Sequence, residues 1–353
     1  MSRISTSLVY ISLLITQISC VTQKMQVVCV CEEGQQTQDT IKWEIFPEME
    51  GSVDIFASSS PDIFNLSSPL ITAKISDRVV LIPKLTDNRK YFMLSFDKKE
   101  KVYVTNRKIN VPGVANLRDI GGYVNEDGEM IKWGKIYRSG KLTDITKKGH
   151  ERLDKLKIHT VVDLRSDEEK QTDTKPLDFP VVFSMPMKLP FNEEMRTLLA
   201  EGKCKRNDAI IYMQDIFSSY TEDYQKQLSA LFTCLSKKNS YPVLIECGTG
   251  NNRTGFVVAL IMSALKIPND EIFDDYLFSN SCVDVVKEAN FGRDLAPDQQ
   301  EALTVLISAQ KSFLEYGFEK IKQDNGSIDK FFAKKLNITP QKREKLQQIL
   351  LTR

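Results

Sequence analysis

The stretch Val243–Met262 reads VLIECGTGNNRTGFVVALIM, and its reading decides the fold. A short apolar run, VLI, leads through Glu246 to Cys247, and a long apolar segment opens at Phe256. That is the pattern of a buried strand running through a tight loop into a helix. Cys247 and Arg253 are separated by five residues, an arc that brings a guanidinium over a thiolate. Gly248 and Gly250 let backbone N–H groups turn inward, with Thr249, Asn251 and Asn252 completing a nest for an anion. The helix beginning near Gly255 adds the positive end of its dipole. Together these features lower a thiol pKa and bind phosphate. A thiolate there attacks phosphorus while Arg253 holds two oxygens in fork geometry, and Thr254 donates its hydroxyl to the thiolate. A small buried cysteine at a strand end would leave both glycines and Arg253 unexplained.

Outward from the loop, "IHTVVDLRS" and "PVLIEC" read as buried parallel strands. "YTEDYQKQLSALFTCLSKK" places Tyr220, Tyr224, Leu228, Leu231, Phe232 and Leu235 on one face of a helix. Alternating strands and helices predict an α/β layer with a mostly parallel central sheet flanked by helices, spanning 110–353. Ligands gather at the carboxyl ends of such strands, where Cys247 sits. The segment 40–109 has a different texture. Its short strands, "IKWEIF", "SVDIFASSS", "RVVLIP", "KYFMLSF" and "KVYVTNRKI", are punctuated by Pro47, Gly51, Pro61, Pro69 and Pro83. They predict a small β-sandwich of the fibronectin type III or immunoglobulin-like class.

The N-terminus carries an address. "MSRISTSLVYISLLITQISC" predicts an exported chain with a signal at 1–19, and Cys20 resembles the acylated cysteine of a bacterial lipobox. An ordinary cleaved signal is the alternative. A linker follows over 20–39. Lipidation would tie the protein to the cell envelope membrane. Seven cysteines are too scattered for a disulfide framework; Cys29 and Cys31, two apart, share a face on any strand. His150 and His159 sit in no motif and read as structural. With 48 Lys and Arg against 47 Asp and Glu, no global field favours nucleic acid.

The loop resembles the signature of cysteine-dependent tyrosine and dual-specificity phosphatases. Within them it is similar to a bacterial family of secreted tyrosine/lipid phosphatases with the signature His-Cys-x-x-Gly-Lys-Asp-Arg-Thr-Gly. "NLRDIGGY" from Asn116, "KIYRSGKLTDIT" from Lys135, "TVVDLRSDEE" from Thr160, "DDYLFSN" from Asp274 and "GSIDKFFAKKLNIT" near the C-terminus recur there in this order. A β-sandwich ahead of this region resembles the Bacteroidetes forms. The resemblance implies metal-free phosphomonoester hydrolysis through a cysteinyl phosphate. It keeps Cys247, Gly250, Arg253, Thr254 and Gly255, but Glu246 replaces the family His, Asn251 the Lys and Asn252 the Asp.

The family Asp is the implied general acid, and Asn252 has no proton to give, which costs ~10²–10⁴ in rate. Glu246, as a carboxylate, would raise the thiol pKa. Asp119 is the candidate replacement acid. Arg138 and Ser139 line the pocket or fix a turn; Asp163 and Arg165 read as an ion pair holding the loop, with pocket lining the lesser reading. The expected function is slow hydrolysis of a phosphorylated protein or small aryl phosphate, without cofactor. The alternative is a pseudophosphatase that binds phosphorylated or anionic ligands without turnover.

Overall fold

A computed structural model describes residues 25–33, 38–83, 89–172, 178–284 and 289–352. The predicted signal and Cys20 lie outside the described residues. Seven strands form two antiparallel sheets at the N-terminal end. Sheet one joins β1 (Gln26–Glu33), β2 (Gln38–Phe46) and β5 (Val79–Pro83); sheet two orders β4 (Ile71–Lys74), β3 (Ser52–Ser58), β6 (Tyr91–Phe96) and β7 (Glu100–Thr105) as β4-β3-β6-β7. Burial along β2 alternates, with Ile41, Trp43 and Ile45 inside and Lys42 and Glu44 outside. Each such side chain contributes ~1.5–3 kcal/mol on burial. The Trp43 indole donates to the Ile75 carbonyl at 2.9 Å, so its one polar atom is satisfied.

The stretch 20–39 is not all linker: β1 occupies its middle, at 26–33, and pairs along its length with β2, which itself opens at Gln38. Val27, Cys29 and Cys31 face the core while Val28 and Val30 face out, which is the alternation a half-buried strand requires. Burial pushes the Cys29 thiol up to about 12, so it is an inert core group.

The second region has a five-stranded sheet ordered β11-β10-β12-β9-β8, with β8 Arg118–Asp119, β9 Ile136–Ser139, β10 Thr160–Asp163, β11 Val181–Ser184 and β12 Val243–Glu246. All its pairs are parallel except β8 with β9. Ser139, Glu246 and Asp163 are register partners, so three strands end level and Cys247 follows at the centre of that edge. Around the sheet run α1 (Lys147–Leu153), α2 (Asp167–Thr172), α3 (Glu193–Ala200), α4 (Arg206–Glu222), α5 (Gln225–Leu235), α6 (Asn252–Ala264) and α7 (Asn269–Phe278), then, among the described residues, four further helices from Pro297 onward. Every residue of α6 is buried, as expected of a helix apolar on all sides. The single helix expected across Tyr220–Leu235 is two, α4 and α5, broken at Asp223–Tyr224; its predicted face is still buried, with Tyr224 partly so. The Tyr224 hydroxyl accepts from the Lys188 amide at 2.8 Å, which fixes the break against a neighbouring loop.

The two regions meet through Trp133. Its indole donates to the Tyr103 carbonyl at 3.0 Å, and the Arg107 guanidinium lies 5.0 Å from its ring. Gly122, at φ +85°, passes so close that a Cβ would fall 2.2 Å from that ring, which explains the glycine pair in "NLRDIGGY".

Candidate active site

The segment after β12 folds as an arc whose carbonyls are all drawn outward. The Gly248 carbonyl accepts from the Lys141 amide at 3.0 Å, and those of Thr249 and Gly250 accept from Asn116 Nδ2 at 3.3 and 2.8 Å. Arg138 Nη2 donates to Gly250 at 2.8 Å and to Asn251 at 3.4 Å. With the carbonyls held on the outer side, the backbone amides of 248–251 make no bond to described protein atoms and are left as anion donors. The first turn of α6 adds its own unpaired N–H groups, with no side chain capping them. Gly250 needs its φ of +70° and its missing side chain, since a Cβ would sit 2.4 Å from the Ser139 backbone.

Arg253 is clamped end-on by a residue the sequence reading missed. Its Nη2 donates to Glu169 Oε1 at 2.8 Å, and its Nη1 to Glu169 Oε2 and to the Leu164 carbonyl at 3.1 Å. Of five guanidinium N–H groups, Nε–H and one Nη2–H remain, both on the side edge, a ready fork for two oxygens. Burial alone would depress the Arg253 pKa, but Glu169 and the nearby negative charge of Cys247 hold it above the ordinary value. Burial would raise Glu169, and Arg253 holds it below the usual carboxylate range. Gly248 packs on this pair; a Cβ there would meet Glu169 Oε1 at 2.7 Å. A buried thiol, loop amides left without protein partners and a guanidinium oriented by Glu169 thus lie together in one short segment, with Cys247 close enough to act on Arg253 electrostatically.

A sequence model of the tyrosine phosphatase family matches residues 109–352. The chain belongs to the tyrosine phosphatase family. A protein of Cupriavidus necator named as a tyrosine-protein phosphatase is 25% identical over 237 residues, 64% of this chain and 82% of that protein. The triple specificity protein phosphatase PtpB of Mycobacterium tuberculosis is 29% identical over 219 residues, covering 53% and 77%. Among solved structures, P. aeruginosa TpbA with phosphotyrosine matches at 15% identity, covering 58% of this chain and 96% of that one, TM-score 0.24. The core catalytic domain of an S. cerevisiae PP-IP phosphatase matches at 16% identity, covering 54% and 88%, TM-score 0.25.

In this phosphatase the three loop substitutions have distinct physical consequences. Asn251 Nδ2 donates to the Ile307 carbonyl at 3.0 Å, tying the loop to the C-terminal helices. Asn252 Oδ1 accepts from the Tyr276 hydroxyl at 2.6 Å; burial raises that phenol, so it stays a donor. Glu246 is wholly buried on the side of β12 facing Asp163 and Arg165, with Oε1 3.4 Å from Arg165 Nε and no hydrogen bond of good geometry to either oxygen among the described residues. Burial and Asp163 push its pKa up to about 8, against the pull of Arg165. A pKa raised to about 8 favours the protonated form at pH 7, so Glu246 opposes the Cys247 thiolate less than an ionised carboxylate would.

The linkage has a definite sign. The folded chain holds the Glu246 proton up to about pH 8, while an unfolded glutamate releases it near 4.5. Native protein thus binds more protons between those values, and stability falls as pH rises through that window. Melting curves from pH 5 to 9 should show Glu246→Gln gaining on wild type by roughly 3–5 kcal/mol toward pH 9. A constant offset between the two would contradict the assignment.

Asp119 is not the replacement acid. It follows Arg118 on β8, so the two point to opposite faces of the sheet. Arg118 and its register partner Arg138 face the loop side, whereas Asp119 pairs with Tyr137 and faces the β-region. There Asp119 Oδ2 accepts from Arg89 and the Gly134 amide, both at 2.7 Å, and Oδ1 from the Gly121 amide at 2.8 Å. It is a structural ion pair joining the two regions. Asp163 and Arg165 form the bidentate pair expected of them, at 3.0 and 2.9 Å. Arg138 and Ser139 build the loop's support, not its pocket wall. The Thr254 hydroxyl is buried without any hydrogen-bond partner, Cys247 Sγ included, so its expected donation to sulfur is not made in this state.

Besides Glu169, sequence reading passed over Asn116, Arg118 and Asp275. Asp275 binds Arg138 at 2.6 Å and Arg118 at 3.3 Å, all three buried. Burial would raise its carboxyl, and the two arginines hold it well below the usual range. Burial and Arg118 bring Arg138 down to about 10. The signal was present: "NLRD", "YRSG" and "DDYLFSN" carry Arg118, Arg138 and Asp275 within segments of apolar residues, and buried charges need partners.

Proposed function

We propose that this tyrosine phosphatase hydrolyses phosphomonoesters through a cysteinyl-phosphate intermediate, acts best on phosphotyrosine and other aryl phosphates, and turns over slowly. The observation that carries this is Arg253, locked by Glu169 so that its side edge is aimed with the loop amides at an anion beside Cys247. The Cys247 thiolate forms the S–P bond as the P–O bond to the leaving group breaks. Water then hydrolyses the S–P bond, releasing phosphate and returning the thiolate. Arg253 and the amides stabilise the equatorial oxygens in both steps.

Asn252 supplies no proton, so the leaving oxygen departs carrying its charge. A phenolate bears that charge far better than an alkoxide. Asn251, neutral and engaged with Ile307, adds no attraction for polyanionic substrates. The breadth in the name of the mycobacterial relative is therefore not expected here. The predicted signal and Cys20 support an exported, lipid-anchored enzyme, with the β-region as spacer or binding module.

With the full chain under reducing conditions, para-nitrophenyl phosphate and phosphotyrosine should be hydrolysed at least ~10²-fold faster than phosphoserine or inositol phosphates. Equal turnover of both classes would sink the missing-acid argument. The Asn251–Asn252 pair also favours a second reading, binding of phosphorylated ligands without turnover. Silence on every substrate with measurable phosphotyrosine binding would select it.

A further inference from the structure

Far from the catalytic loop, a cleft of about 650 Å³ opens where the β-region meets the phosphatase region. Its walls include Ile82 and Tyr91 from the former and Lys135, Lys157 and Pro242 from the latter. Lys135, Lys157 and Pro242 all lie just before β9, β10 and β12. The cleft is thus at the amino ends of the parallel strands, and Cys247 is at their carboxyl ends. Four-residue strands set the two places roughly 13 Å or more apart.

The cleft is strongly basic, with seven lysines and arginines on its walls against two aspartates. Arg89 is neutralised by Asp119 at 2.7 Å and Lys135 by Asp62 at 3.4 Å, and Lys155 too has a partner. Lys108 turns away to the Ser281 carbonyl. Lys90 directly precedes β6, Arg152 lies on α1 and Lys157 lies between α1 and β10, and none of the three has a carboxylate partner among the described residues. Arg152 meets only the Asn110 carbonyl, at 3.0 Å. The buried Arg89 Nε–H has no acceptor among the described residues. Cations gathered in a concave, low-dielectric cleft repel one another and focus field on an anion. The volume suits a small molecule, for which pockets run roughly 300–1,000 Å³.

We propose that this cleft is a second anion site, distinct from the catalytic loop, which binds a small polyanion bearing linked phosphate groups. Three separated cations match several phosphates on one ligand better than a single charge, and the guanidinium of Arg152 offers a fork to one of them. Inorganic oligophosphate and a nucleoside triphosphate share this chemistry. A ligand here bridges both regions and so bears on their relative placement.

Calorimetric titration of the full chain with sodium tripolyphosphate, and separately with ATP, tests this. Wild type and Arg253→Lys, which keeps a cation for Glu169 but loses the catalytic fork, should bind alike. Lys90→Gln/Lys157→Gln should bind ~10-fold or more weakly, while hydrolysing para-nitrophenyl phosphate like wild type. Gln at 157 meets the same φ of +52° as Lys, so the fold is not newly strained, and melting curves check it. ATP binding as tightly as tripolyphosphate means that the phosphates alone are read, and tighter ATP means that the base adds contacts; both uphold the site. No saturable binding by wild type below ~1 mM, or binding lost in Arg253→Lys and kept in the double variant, would overturn it.

Discussion

Replacing Cys247 with serine removes aryl-phosphate hydrolysis, by at least ~10³-fold, while leaving phosphate affinity largely intact. The thiol is 1% exposed at the central edge of the sheet, with the Arg253 and Arg138 guanidinia close enough to interact with it electrostatically. A serine hydroxyl ionises far less readily than a thiol, so even among the cations and N–H donors of the loop it stays protonated and is a poor nucleophile. The anion donors, by contrast, are backbone amides and the Arg253 side edge, which the substitution does not touch. Steady-state rates with para-nitrophenyl phosphate, and phosphotyrosine binding to the Ser variant, separate the two effects. A Ser variant that retains turnover would place the nucleophile elsewhere.

Asn252→Asp should work in the opposite direction, raising kcat on alkyl phosphates such as phosphoserine by ~10²–10⁴ and on aryl phosphates much less. Asn252 opens α6, and its Oδ1 already accepts from Tyr276 at 2.6 Å. One oxygen of an aspartate would keep that bond and its orientation, and the other would carry the proton that the leaving oxygen lacks. The gain depends on the leaving group because only a poor one needs the acid. The ratio of phosphoserine to phosphotyrosine turnover, measured across pH, reads this directly. A uniform gain on both would point to improved loop geometry and away from proton supply.

How much of this was legible follows from sequence distance. The loop is local: cysteine, glycines and arginine lie within seven residues, and their spacing dictates the arc. The apolar core of α6 and the short strands on either side are local too. Glu169 was not legible as the arginine clamp, because it lies 84 residues before Arg253 and meets it only once β10 and β12 pair. Asp119 was misplaced by strand parity. It and Arg118 are neighbours in sequence, and nothing local says which of two adjacent side chains faces the loop. The protonation of Glu246 depends on complete burial beside Asp163, a property of the assembled sheet. β1 was missed although Val27, Cys29 and Cys31 alternate, since the polar run after Cys31 reads as linker.

The most direct test of a thiol nucleophile in an assembled phosphate cradle is to catch the bond it forms. Wild-type full chain is mixed with excess phosphotyrosine, quenched in acid within the first turnover and weighed intact, then digested to locate any modification. The mechanism predicts one phosphoryl group, on Cys247, and none on the Cys247→Ser chain. Turnover with no phosphorylated chain at any quench time, or a phosphoryl group carried on another residue, would contradict it.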